Sequence, residues 1–248
     1  MINKILILAS FLTASFALTA YEPAENAAKP AEEKIAEETT VSEPSAEEKI
    51  SRLYESFSSL NTTMPSEVAF TYGMTGYEKL KEENKILNEI LTIVDFSLPS
   101  TEKRMWILDM TTKKVLFNTY VSHGKNTGSD MATNFSNTPN SFQSSLGFYV
   151  TAETYYGKNG LSLFIDGMEE EFNSNARNRY VVIHGADYAT EGFINRLGRL
   201  GRSYGCPAVP MKISKEVINT IKGQSGLFIY HPNQDYISKS TYLNPQTV

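Results

Sequence analysis

Short apolar runs separated by turns of two to four residues constrain this chain most. Arg104-Met105-Trp106-Ile107-Leu108-Asp109 and Lys114-Val115-Leu116-Phe117-Asn118-Thr119-Tyr120-Val121 flank Met110-Thr111-Thr112-Lys113. Gly147–Tyr156 and Leu161–Ile165 flank Gly157-Lys158-Asn159-Gly160. Two such pairs read as β-hairpins. Further strand signals lie at Tyr180–His184 and Gly226–Tyr230, with short helices predicted over Glu191–Leu197 and over Lys215–Ile221, the latter N-capped by Ser214 and stopped at Gly223. Short strands at hairpin spacing with few helices predict a mostly-β, α+β sandwich or barrel.

The first hundred residues differ. Met1–Ala20 has Lys4, then the apolar stretch Ile5–Leu18, then small residues. That stretch is short for a bilayer span, which needs about 20 apolar residues. It reads as a secretory signal cut after Ala20, leaving no stable membrane span. Residues 21–48 are Glu, Ala, Pro, Lys and Thr with almost no large apolar side chains, a composition that cannot offset chain entropy by burial. They read as a disordered tether. From Ala46 the pattern turns amphipathic: Ile50, Leu53, Tyr54 and Phe57 share a helical face. Pro65-Ser66 opens a second predicted helix through Phe70, Met74 and Leu80, weakened by Gly73 and Gly76. Residues 49–98 are expected to form a helical lead-in packed on a β-rich domain spanning 99–248.

Charge excludes some partners. The net charge of -5 is confined to residues 1–59, which hold five Lys/Arg and ten Glu and leave eighteen of each sign beyond. No basic stripe points to nucleic acid, and no polybasic run points to an anionic membrane.

Cys206 is the only cysteine, so no intrachain disulfide can form. A buried inert thiol is the common fate of a free Cys. Against that stands its setting, Arg202-Ser203-Tyr204-Gly205-Cys206-Pro207-Ala208, a loop in an exported chain. Arg202 and Arg199 are near in sequence, and the amides of Gly205 and Cys206 are candidates to hold a developing oxyanion. The general base is His184 or His123. Each ends an apolar run and precedes a glycine, Gly185 or Gly124, and local sequence does not separate them. Three scattered histidines carry no metal-ligand spacing, and no phosphate-binding loop is present.

The order His-Gly, then Ser-x-Gly-Cys, resembles the L,D-transpeptidase family with its YkuD-type catalytic domain, which cross-links bacterial peptidoglycan. Val182-Ile183-His184-Gly185-Ala186-Asp187, Ser203-Tyr204-Gly205-Cys206-Pro207-Ala208 and His123-Gly124-Lys125-Asn126-Thr127-Gly128 resemble a divergent branch of that family, as do Ser136-Asn137-Thr138-Pro139 and Ser144-Ser145-Leu146-Gly147-Phe148-Tyr149. Tyr204 stands where the wider family has a second His. The resemblance implies Cys206 as nucleophile, His184 as base oriented by the Gly185 carbonyl, and Gly205 in the oxyanion site. It implies Ser203, Tyr204, Arg202 and His123 as substrate-side or structural residues. It further implies peptidoglycan stem peptides as partners, no cofactor, a monomer, and a place in the periplasm or cell envelope. Hydrolysis by an L,D-carboxypeptidase or a cysteine peptidase or amidase, and a non-catalytic peptidoglycan-binding module, are the competing readings.

Overall fold

The computed structural model describes residues 43–58 and 63–244. The expected signal segment 1–20 and most of the expected tether lie outside them. Helix α1 covers Ala46–Ser58 and α2 covers Glu67–Glu82. Eight strands follow: β1 Ile90–Asp95, β2 Met105–Asp109, β3 Lys114–Thr119, β4 Gly147–Gly157, β5 Gly160–Gly167, β6 Val182–Ala186, β7 Ala208–Pro210 and β8 Gly226–Tyr230. Between and after them lie α3 Glu191–Leu197, α4 Met211–Ile221 and α5 Gln234–Lys239.

The strands form one sheet in the order β3-β2-β1-β8-β4-β5-β6-β7. Both expected hairpins are present as antiparallel pairs, β2–β3 and β4–β5. The open edges do not stay open. The segment just past β3 pairs with β7: Ser122 N donates to Ala208 O at 2.8 Å, and Ala208 N to Ser122 O at 3.4 Å. A parallel bridge joins Gly124 to Ser203 one step further. The sheet is thus a nearly closed barrel, which satisfies edge groups that would otherwise invite pairing with another chain.

Ile90–Asp95 falls in the stretch expected to be a helical lead-in, yet β1 lies between β2 and β8 and is buried along its whole length. It runs parallel to β8, also fully buried. Parallel strands covered on both faces read as continuous apolar runs, which explains why Ile86–Phe96 showed no strand alternation.

Helix α2 packs against β1 and β8. Ser66 caps it, its hydroxyl accepting from Ala69 N at 3.3 Å. Phe70, Met74, Tyr77 and Leu80 are buried, and each large apolar side chain contributes about 1.5–3 kcal/mol. The two glycines that weakened the prediction are contact points. A Cβ on Gly76 would lie 2.1 Å from the Phe148 ring, and one on Gly73 would lie 3.1 Å from Ile93. Their absence lets the helix lie close on the sheet. Helix α4 packs against β5, β6 and β7. It starts at Met211 after Pro210, four residues earlier than predicted. Ser214 is therefore inside the first turn, where its hydroxyl bonds back to Met211 O at 2.9 Å rather than capping.

Candidate active site

The β6–β7 pair brings the two ends of the sequence motif together. These strands are parallel, with His184 opposite Ala208. The residues just before Ala208 therefore run beside the start of β6. The Cys206 sulfur faces the Tyr180 carbonyl at 3.5 Å, and the Val182 amide also acts on it. His184 and Cys206 line one cleft of about 640 Å³, together with Ser203, Tyr204 and Arg202.

His184 is held in one orientation. Its Nδ1 lies 2.9 Å from the Gly185 carbonyl. A carbonyl can only accept, so Nδ1 carries the proton and Nε2 is the free base. Gly185 has a second use: a Cβ there would meet Ser214 and Met211 at 2.5 and 2.8 Å, so glycine lets α4 close against β6. Burial lowers the His184 pKa, against the Gly185 hydrogen bond, with Lys158 lowering it further. Burial raises the Cys206 thiol, opposed by the Val182 amide, Arg179 and Lys158. Both shifts favour a neutral thiol and a neutral imidazole over an ion pair in the free protein.

The loop that carries Cys206 is held on several sides. Gly205 has φ +127°, a region that disfavours side chains, and a Cβ there would lie 2.8 Å from Gln143 O. Ser203 Oγ accepts from Gly205 N at 3.0 Å and donates to Cys206 O at 2.6 Å. Ser144 Oγ donates to Gly205 O at 3.1 Å. One of the two amides expected to hold an oxyanion already has a partner. The Gly205 N–H is already committed to Ser203, whereas the Tyr204 N–H makes no hydrogen bond among the described residues and the Cys206 N–H acts on its own sulfur. Ser203 itself turns inward to shape the loop.

Tyr204 is 66% exposed at the rim. Its ring packs on Phe142 with centroids 4.9 Å apart, and Lys125 Nζ sits 4.7 Å from the Tyr204 ring and 4.2 Å from Phe142. Here it offers an aromatic face at the cleft. Arg202 uses Nη1 to hold the carbonyls of Gly128 and Lys125 at 2.9 and 3.3 Å.

His123 is not brought to the cleft. It is 1% exposed, and Arg104 Nη2 lies 2.7 Å from its Nδ1. A guanidinium can only donate, so here Nδ1 is the acceptor and Nε2 carries the proton towards Gly128 O at 3.4 Å. Burial, then the Arg104 charge, pushes its pKa down to about 4. Arg104 is itself fully buried without a carboxylate; it donates to the carbonyls of Val121 and Leu98 and lies over the Phe96 ring. The His123 backbone then holds the loop, its O accepting from Ser203 N at 2.9 Å. His231 packs on Phe135 and does not line the cleft. Arg199 bonds to Leu200 O and is not in the cleft.

Arg179, Lys125 and Lys158 line the cleft and were missed from sequence. Lys125 sits inside the His123–Gly128 motif and was there to be found. Arg179 precedes Tyr180, whose φ of +54° turns its carbonyl to the thiol, and no motif marks that turn. Among the described residues no cluster of three or more His, Cys, Asp or Glu is placed to hold a metal, and no helix is long and apolar enough to cross a membrane.

A family model described as the L,D-transpeptidase catalytic domain matches residues 61–230. No curated protein matches by sequence. Among solved structures, the chain is similar to an L,D-transpeptidase from Mycobacterium smegmatis, at 12% identity over 58% of this chain and 59% of that one, with a TM-score of 0.37. It is similar to the L,D-transpeptidase of Xylanimonas cellulosilytica, at 11% identity over 73% and 93% with a TM-score of 0.33. The helical cell shape determining protein of Campylobacter jejuni matches at 10% identity over 64% and 57%, with a TM-score of 0.37. The chain spans less than two thirds of the first and the third of these proteins. At such identities the assignment rests on the family match, which covers more than half of the chain and includes both halves of the motif. The chain belongs to the L,D-transpeptidase catalytic-domain family.

Proposed function

We propose that this protein is a cysteine-dependent L,D-transpeptidase acting on peptidoglycan stem peptides. One observation carries the reading: the only thiol of the chain and a histidine fixed with its Nδ1 on the Gly185 carbonyl line the same open cleft.

The chemistry follows from that pair. Both groups are neutral at rest, so His184 Nε2 takes the Cys206 proton as sulfur attacks the carbonyl of the diamino acid at position three of a tetrapeptide donor. The C–S bond forms, and the carbonyl oxygen gains the negative charge. The N–H groups of Tyr204 and Cys206, neither given to another residue, are the donors left to meet it. His184 then returns the proton to the departing D-alanine as the C–N bond breaks, leaving a thioester on Cys206. An amine from a second stem attacks the thioester and loses its proton to His184. The new amide forms, and sulfur leaves and is reprotonated. No step needs a metal or cofactor. Such a substrate lies outside the cytoplasmic membrane, so the reading entails export, for which residues 1–20 have the composition of a secretory signal.

The test is product analysis by mass spectrometry on purified disaccharide-tetrapeptide. Cross-linked dimer and free D-alanine in equal amounts support the reading. Free D-alanine without dimer means water is the acceptor. Full activity in Cys206→Ala overturns the assignment.

A further inference from the structure

The cleft has an unusual charge balance. Among the described residues four cations line it, Lys125, Lys158, Arg179 and Arg202, and no Asp or Glu does. They come from four separate segments: the loop after β3, the β4–β5 turn, the turn before β6 and the nucleophile loop. The residues beyond position 59 balance eighteen charges of each sign, so this concentration is local.

None of the four is in an ion pair with another described residue. The salt bridges among the described residues join Lys81 to Glu89, Lys85 to Glu83, Arg177 to Glu153 and Asp166, and Lys239 to Asp235. The contrast with Arg177 is close at hand: two residues from Arg179, it is neutralised by two carboxylates. Arg179 instead donates to Ser136 O, Ser145 Oγ, Ser141 Oγ and Gln143 O, all neutral. Arg202 engages carbonyls through Nη1 alone. Lys125 rests on two aromatic faces, and Lys158 is exposed on its turn. Cations gathered without counter-charges raise the local concentration of anionic ligands and leave donors for carboxylates.

We propose that the cleft selects its peptide by charge: it takes stem peptides whose side and terminal carboxylates are free and discriminates against the same peptides amidated, with Lys125, Lys158 and Arg202 reading the charge. Arg179 belongs to the scaffold behind Gly205, since its Nη2 lies 3.3 Å from where a Cβ would stand there. This rests on the transpeptidase reading for the identity of the peptide, but the charge preference does not.

Cys206 is the only thiol, so alkylation of the full chain reports on this cleft alone. The probes are iodoacetate and iodoacetamide, which differ by one carboxylate. The ratio of their rates should exceed that of free cysteine at the same pH by several-fold. It should fall towards the free value in Lys158→Gln and Arg202→Gln, and in about 1 M salt, where the Debye length is about 3 Å. In the second arm, a tetrapeptide donor with free carboxylates is compared with its amidated form, with an expected drop in kcat/KM of about two- to fivefold per carboxylate for partly exposed pairs. A wild-type alkylation ratio equal to that of free cysteine, or one unmoved by both substitutions and by salt, overturns the proposal. So does equal turnover of both donors. No turnover of either donor with the ratio still raised defeats the transpeptidase reading and leaves the charge preference standing.

Discussion

His123-Gly124 and His184-Gly185 are the same dipeptide, each follows an apolar run, and each touches the loop that carries Cys206. They carry opposite tautomers. At His184 the partner of Nδ1 is a carbonyl, so Nε2 is left basic and faces a cleft. At His123 the partner of Nδ1 is the Arg104 guanidinium, so the basic nitrogen is consumed and the ring is sealed in. The proposed base is distinguished by what the other nitrogen meets, a feature of tertiary packing and not of the strand that bears the residue. The second pair instead supports the first: Arg104 fixes His123, and the His123 carbonyl fixes Ser203.

The comparison breaks most sharply at the two rings. His184→Gln keeps a polar side chain but no base, and kcat should fall about 10²- to 10⁴-fold with little change in stability. A loss under tenfold would move the base elsewhere. Arg104→Met should do the reverse. It strips donors from Val121 O and Leu98 O, and urea unfolding should show a loss of about 2–4 kcal/mol. Unchanged stability would mean that this buried cation contributes nothing net.

The pH dependence of stability separates the pair next. His123 has its folded pKa depressed from 6.5 to about 4. As pH falls, the unfolded chain takes up that proton first. The stability held by the neutral ring is full above about pH 6.5 and drains away until about pH 4, on the order of 3 kcal/mol in all. In His123→Asn this acid loss should flatten over the same window, while turnover at neutral pH, corrected for the folded fraction, stays within a few-fold. An unchanged slope would place the titration on another group.

The smallest effect belongs to Tyr204. Its hydroxyl makes no hydrogen bond among the described residues, and its ring meets Phe142 and Lys125. Tyr204→Phe should alter kcat/KM by less than twofold. Tyr204→Ala should cost about 0.5–1 kcal/mol of the cation–π contact. A tenfold loss in the Phe variant would put the hydroxyl into the chemistry.

Much of this was legible in the residues. The two hairpins were, because turn residues and strand runs are local signals, and α3 lies over the residues read for it. β7 was not: three residues are too few to show a period, and it exists because β6 and Ser122 flank it. β1 was hidden for the opposite reason, since burial on both faces erased its alternation. In the site, Cys206 and His184-Gly185 were readable as a spaced motif. Which amides of the loop have partners was not legible, because Ser203 Oγ takes the Gly205 N–H, a side-chain choice no spacing reveals. The cationic wall was invisible because its members come from four separated segments.

The central claim is that His184 and Cys206 form one acyl-transfer centre. The direct measurement is the intact mass of the protein mixed with a tetrapeptide donor and no acceptor amine. The account predicts a gain equal to the donor less D-alanine, located on Cys206, formed far more slowly in His184→Gln and discharged on adding the amine. A donor turned over with no adduct on Cys206 under single-turnover conditions, or an adduct formed equally fast without the His184 imidazole, would contradict it.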